Sequence, residues 1–444
     1  MFTGRVPFVW ISNQLSNTGV TTKNITLNAA QVTTAGVRYV FNPADPQLGA
    51  YIPAATANAA TAINVIDKNF KFPQIFRANL AADRKLGAGF VATVEVLFTK
   101  NINNANYTNL NISPNGESTV AIGPTTRPYW SVANQNPNYL QVIKLDNTSK
   151  GYSANFTAQL QKTFRKGLSG SIAYTFGTAS SLNDIPSSVA LSNWRGVTSV
   201  NGLNKLPLST SNFDMGSRVT GFISKEFRYA GHFATTVTLF YTGQSGQRTS
   251  YTYAALSSRS IVGDDASATS LIYIPANFSE ANFVDITNGK TASQQWADYQ
   301  AFAAANKYFT KHAGENAQRN GDKLPFENHF DVRIAQDFLL KQHKLQVFVD
   351  VINVGALLDK NGGRAYGSGS TPDGLFPLTT TIFTPVTGTT LKRDGVAIPA
   401  ATVNNPAFNF NIGNFTNIAG TPRPYNVNNF TSRWNSQIGV RYSF

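Results

Sequence analysis

Between Tyr152 and Phe164 the chain alternates. Tyr152, Ala154, Phe156, Ala158, Leu160, Lys162 and Phe164 hold one parity, and Ser153, Asn155, Thr157, Gln159, Gln161 and Thr163 hold the other. A strand sends successive side chains to opposite faces, so this segment has one apolar wall and one polar wall. The pattern recurs at Leu168, Ile172, Tyr174 and Phe176, at Phe233, Val237, Leu239 and Tyr241, and at Phe330, Val332, Ile334 and Phe338. It recurs last over 432–444, where Trp434, Ile438, Val440, Tyr442 and Phe444 oppose Arg433, Asn435, Gln437, Arg441 and Ser443. Nine two-faced strands are predicted: 72–82, 87–102, 150–163, 167–178, 212–227, 232–243, 326–338, 343–355 and 432–444.

Their length is informative. Tyr152 and Phe164 are twelve steps apart, roughly 40 Å at ~3.3 Å per residue, or about 30 Å along a membrane normal at ~40° tilt. The apolar band of a transmembrane barrel is ~25 Å tall and carries aromatic girdles at both rims. The two rings fall where girdles belong. The connectors between predicted strands alternate short and long. Tight turns lie near Asp83–Leu86, Phe164–Gly167, Arg228–Gly231 and Leu339–Gln342, each with Lys or Arg, and long polar excursions cover 103–149, 179–211, 244–325 and 356–431. Short periplasmic turns and long outer loops are the habit of such barrels. Residues 1–71 read as a further extracellular excursion, and 292–309 as a helix on a loop, with Trp296, Tyr299, Phe302 and Ala303 on one face. The expected fold is all-β: part of an antiparallel transmembrane β-barrel, about nine strands of a larger barrel, with the strands and their loops in 72–444. An odd number of strands leaves edges that lipid cannot satisfy.

Composition sharpens this picture. Charged residues are 14% of the 444 and aromatics 12%, with 31 Phe and 17 Tyr. No run of eighteen apolar residues exists, so no helix is predicted to span a membrane, which says nothing against strands. The absence of cysteine removes disulfides, thiol catalysis and Cys-containing zinc sites. The formal charge is +14. The Lys and Arg residues are spread thinly rather than packed into a basic helix, which argues against nucleic acid and for contact with anionic lipid or a basic lumen.

Several stretches resemble TonB-dependent receptors of the outer membrane, in particular their Oar-like branch. They are Phe2-Thr3-Gly4-Arg5-Val6-Pro7-Phe8-Val9-Trp10, Asn147-Thr148-Ser149-Lys150-Gly151-Tyr152, Ser187-Ser188-Val189-Ala190, Arg319-Asn320-Gly321, Pro325, Asp331–Phe338, Asp350-Val351-Ile352-Asn353-Val354, Arg433-Trp434 and Gly439–Phe444. The resemblance implies a 22-stranded plugged barrel that moves a bulky substrate with energy from an inner-membrane TonB complex. Signal peptide, TonB box, plug and early strands find no counterpart, so the chain is expected to be the C-terminal part of something longer, lacking the plug. The family's barrel-assembly signal maps onto Trp434, Ile438, Val440, Tyr442 and Phe444.

No active site is expected, and neither cofactor nor metal. His232, His312, His329 and His343 show no ligand spacing. Asp264-Asp265 lacks the oxygen ladder of a calcium loop and reads as a polar turn, and the glycines of 361–369 read as loop flexibility. Seven charges on strands belong to the polar parity and are expected to face the lumen: Glu95, Asp331, Arg333, Asp337, Asp350, Arg433 and Arg441. Arg or Lys on a lipid face would cost ~2–4 kcal/mol at the midplane. Pairing that braces the wall competes there with direct substrate contact. Tyr251, Tyr253 and Tyr366 read as exposed rings able to stack on a sugar or peptide. The expected partners are outer-membrane lipid, the barrel-assembly machinery, the TonB complex through the missing part, and an unknown substrate. Passive porins and β-rich surface adhesins are the rival readings, and a soluble carbohydrate enzyme a distant one.

Overall fold

The computed structural model describes residues 2–3 and 61–444, except 133, 164–166, 266–267, 341, 360, 369–377 and 419. Most of the excursion read over 1–71 therefore lies outside the described residues. Nine long strands form one sheet: β1 (Gln74–Lys85), β2 (Phe90–Asn109), β3 (Tyr152–Thr163), β4 (Leu168–Ser181), β5 (Gly216–Tyr229), β6 (Phe233–Gln244), β7 (Glu327–Leu340), β8 (His343–Ile352) and β9 (Asn435–Ser443). Each pairs antiparallel with the next, in chain order, from β1 to β9. All nine predicted segments are strands, with ends displaced by a few residues. The exception is β2, which runs seven residues beyond its expected end.

Register shows why alternation decides the architecture. Directly opposed residues of an antiparallel pair share a face. Val96, Phe156 and Phe176 stand in one row across β2, β3 and β4. Ile223, Leu239, Val332 and Val351 stand in another across β5 to β8. Among the described residues no second layer covers this face: Leu80 is 76% exposed, Ile172 55% and Ile438 74%, and Tyr152, Phe156 and Leu160 are open as well. In water such a surface would be an aggregation liability. In acyl chains it is the surface a barrel needs. Rings gather towards its two ends. Near the short turns Tyr229 stacks on Phe233 at 5.7 Å and Phe233 meets Phe338 edge-on, while near the long loops Tyr241 lies 4.8 Å from Phe330. Lys162 caps the Phe90 ring at 4.2 Å at the turn end, where a cation can reach headgroups.

The opposite face is mainly hydrogen-bonded. Thr157 meets Thr175, Gln159 donates to Ser171, and Ser224 meets Thr238 at 2.8 Å. Among the described residues three phenyl rings share it, namely Phe222 and Phe240 in contact and Phe348. The Phe348 ring lies against Gly439, where any Cβ would collide with it.

The connections follow the expected rhythm. Four residues or fewer separate β1 from β2, β3 from β4, β5 from β6 and β7 from β8, whereas the other connections are long and run over 110–151, 182–215, 245–326 and 353–434. In the third tight turn Ala230 and Gly231 both have positive φ, the backbone that matches the twist of a hairpin. The sheet is open. Phe2–Thr3 touches β1 only at Gln74 and Ile75, and β9 pairs only with β8 among the described residues.

Substitution on the two faces separates a lipid-facing wall from a soluble one. Phe156→Arg is expected to cost ~2–4 kcal/mol and to cut the folded, membrane-integrated fraction, whereas Thr157→Arg next to it leaves that fraction near wild type. Gel mobility with and without heating, after membrane extraction, reads both. Equal tolerance of the two would contradict the assignment of faces.

Candidate functional site

The long connections build a second hydrophobic region, quite unlike the wall. Its core draws on all four of them: Trp130 from the first, Trp194 from the second, Phe283, Tyr299 and Phe302 from the third, and Phe383, Phe408 and Phe410 from the fourth, each at most 3% exposed. Phe283 lies in ring contact with Trp296, Tyr299, Phe383 and Phe410. A four-stranded sheet supports it, ordered Asp322–Lys323, Arg248–Tyr253, Thr379–Val386 and Ala407–Asn409. The loops are thus a folded cap. β2 joins it to the wall: Phe90–Lys100 pairs with β3, and Asn104–Asn109 pairs instead with the cap strand Tyr139–Thr148.

Within the cap a helix spans Ala292–Ala305 (α1) and a short one follows at Lys307–Lys311 (α2). Thr291 and Gln294 form a capping box at the start of α1. Asn306 ends it with an extended backbone, its side chain donating to Phe302 O at 2.5 Å. Tyr299 and Phe302 are buried, and Trp296 and Ala303 pack against the same core. Gln295, fully buried, bridges two loops by donating to Val284 O at 2.7 Å and accepting from Phe410 N at 2.9 Å.

Several loop residues serve this core rather than solvent. Tyr251 and Tyr253, read from the sequence as exposed, are 1% and 2% exposed. Tyr251 donates to Asp322, and Tyr253 stacks on Phe408 at 5.0 Å. Tyr366 is half-buried and meets Tyr425 edge-on. Asp264-Asp265 is likewise no solvated turn. Asp264 is buried and accepts from Leu203 N and Ser260 Oγ, and burial holds its carboxyl above the usual range. Asp265 pairs with Arg195 at 2.6 Å. A polar loop sequence disguised these contacts because their partners lie tens of residues away.

Six of the seven charges read as lumen-facing lie in strands of the wall, with the following partners. Glu95 accepts from Asn79 at 2.9 Å, and Asp331 from Asn353 N at 2.7 Å. Asp337 pairs with Lys344 at 2.6 Å and accepts from Gln346 at 2.7 Å. Arg333 stands 3.6 Å from Asp350 and lies over the Phe348 ring at 4.2 Å. Arg441 opposes Gln346 in register, and Arg433 precedes β9 rather than lying in it. Of the terminal residues, Ile438, Val440 and Tyr442 share the apolar face with Val349, Val347 and Leu345, and Phe444 is 95% exposed beyond them. Among the described residues no group of acidic and histidine side chains could hold a metal ion. His312 pairs with Glu315, His329 stands 3.8 Å from Glu327, and His343 stacks on Tyr442.

Two buried arginines escaped the sequence reading. Arg127 is 1% exposed, donates to Leu271 O at 2.6 Å and Asn316 Oδ1 at 2.7 Å, and leaves Nε without a partner. Arg319 is 5% exposed, donates to Leu182 O, Ser181 O, Ser181 Oγ and Ser209 O, and also leaves Nε without a partner. Burial pulls both guanidinium groups below their usual range. Nothing in the local sequence marks either one as buried.

Residues 1–355 match the family described as outer membrane beta barrel domain. That is most of the chain, and the chain belongs to this family. It is an outer-membrane β-barrel protein. Among solved structures, the outer membrane transporter YddB from Escherichia coli is similar at a TM-score of 0.35 and 10% identity, over 67% of this chain and 30% of that one. The matched part therefore spans under a third of the transporter's length. No curated protein gives a sequence match.

Acid provides a test of the cap. Burial would raise the Asp285 carboxyl, but the amides of Gly395, Ala292 and Asp394 outweigh it and hold the group below its ordinary 3.8. This contribution is present above the unfolded pKa and is lost as pH falls through the lowered folded one. Below about pH 4, faster hydrogen exchange is therefore expected at Ala292, Asp394 and Gly395, and Asp285→Asn should remove the pH step. An unchanged step in that variant would assign it elsewhere.

Proposed function

We propose that this chain supplies barrel wall and external cap to a TonB-dependent outer-membrane receptor that moves a bulky substrate, and that it performs no catalysis. The observation that carries this reading is the open sheet under a shared, cored cap. In hydrocarbon an unpaired strand edge leaves peptide groups unsatisfied, so β1 and β9 require further strands and the barrel is wider than nine. A barrel that wide leaks unless something fills it, which favours a plugged, energised receptor over a simple pore. The cap offers the outer capture surface, and the polar face offers a hydrophilic path once the plug moves. The resemblance in Phe2–Trp10, Asp331–Phe338 and Gly439–Phe444 supports the same class. The exposed Phe444, with Tyr442, Val440 and Ile438 behind it, is the proposed docking signal for the barrel-assembly machinery.

Two experiments address this. The full-length gene product in a planar bilayer is expected to stay closed, and to bind the periplasmic domain of TonB in pull-down. A steady ohmic conductance without TonB binding would replace the receptor with a passive porin. Separately, deleting Phe444 is expected to lower the heat-modifiable, assembled fraction several-fold without altering synthesis. Full assembly of that variant would remove the terminal signal from the proposal.

A further inference from the structure

A cavity of 570 Å³ lies where the cap overhangs the wall, within the roughly 300–1,000 Å³ usual for small-ligand sites. Its floor includes Tyr152 and Ser180, which oppose each other in β3 and β4 and belong to the apolar face, at its loop end. Its other walls come from two loops and include Leu208, Ser209, Gln318 and Arg319. The cavity therefore opens on the outside of the wall at the level of the upper girdle, beside headgroups rather than above the lumen.

Its chemistry is one-sided. Apolar groups make up the larger part of its lining and hydroxyls and amides the rest, with one cation and no carboxylate. The cation, Arg319, is held by carbonyl and hydroxyl oxygens rather than by an ion pair. The nearby carboxylate, Asp184, is occupied at 2.6–2.7 Å by Ser181 Oγ, Ser211 Oγ and Asn212 N. Behind the cavity the second buried guanidinium, Arg127, holds Leu271 O and Asn316 Oδ1, and both of those residues line it. Lys100 stands next to Tyr152 in register, on the same face. Buried positive charge without a matched anion costs free energy unless an anion arrives.

We infer that this cavity receives a phosphorylated sugar, its phosphate drawn by Arg319 and Lys100 and its hydroxyls by Ser180, Ser209 and Gln318. The position on the apolar face favours a sugar borne on a membrane glycolipid, whose acyl chains would lie along Tyr152 and Phe156. A soluble sugar phosphate presents the same chemistry. The inference rests on the membrane placement of the wall and not on energy coupling.

Native mass spectrometry of the full chain, released from neutral detergent micelles, tests it with three probes: diphosphoryl lipid A, its dephosphorylated counterpart, and glucosamine 1-phosphate. A bound adduct is expected with the first and at least tenfold less with the second. Tenfold loss is also expected in Leu208→Glu, which sets a carboxylate at the mouth, and a smaller loss in Lys100→Gln. Both positions lie at the edge of the site, so heat-modifiability should stay as in wild type. Glucosamine 1-phosphate binding as tightly as the lipid would assign a soluble ligand to the same site. Equal binding of the phosphorylated and dephosphorylated lipids, or full binding by Leu208→Glu, would overturn the inference, whatever the conductance and TonB results.

Discussion

Hydrocarbon offers a peptide group no water to bond with, so every strand crossing it must find its partner in a neighbouring strand. The rest of this structure follows from that constraint. It dictates the unbroken β1-to-β9 meander, the short turns that keep sequential strands adjacent, and side chains sorted to two faces by parity alone. A one-residue slip would exchange the faces throughout. Phe156 would then turn to the polar side and Thr157 to lipid, at a cost repeated along each strand. Register is fixed by solvent on both sides of the sheet.

Beyond the girdles the constraint lapses and ordinary folding takes over. The cap is held by an aromatic core of the kind found inside water-soluble domains, where rings meet edge-on or offset and buried polar groups are bonded. Gln295 and Asp264 supply such bonds between loops distant in sequence. The wall exposes its large apolar side chains, whereas the cap gathers an aromatic set of its own into a core. One chain thus answers two solvents, and the change occurs within β2, between Lys100 and Asn104.

This contrast explains how much could be read from the sequence. The strands were legible because a local, period-two signal encodes them, and each of the nine was located from its own residues. The rhythm of short and long connections followed. The cap was not legible. Phe283 and Phe410 touch across more than a hundred residues, and nothing near either announces the other. Tyr251, Tyr253, Asp264 and Asp265 sit in Ser-, Thr- and Gly-rich surroundings that look like solvated loop, yet long-range packing buries them. Only α1 was anticipated there, since an amphipathic helix is again a local pattern. The buried Arg127 and Arg319 were invisible for the same reason: their partners are backbone carbonyls that sequence does not label.

The continuous backbone of β2 has a mechanical consequence. A strand that is hydrogen-bonded to the wall along one half and to the cap along the other admits no hinge between them. Near β2 the external domain is therefore welded to the bilayer-embedded staves. Any opening of the outer mouth must swing the far loops, those between β6 and β7 or between β8 and β9, about this fixed post.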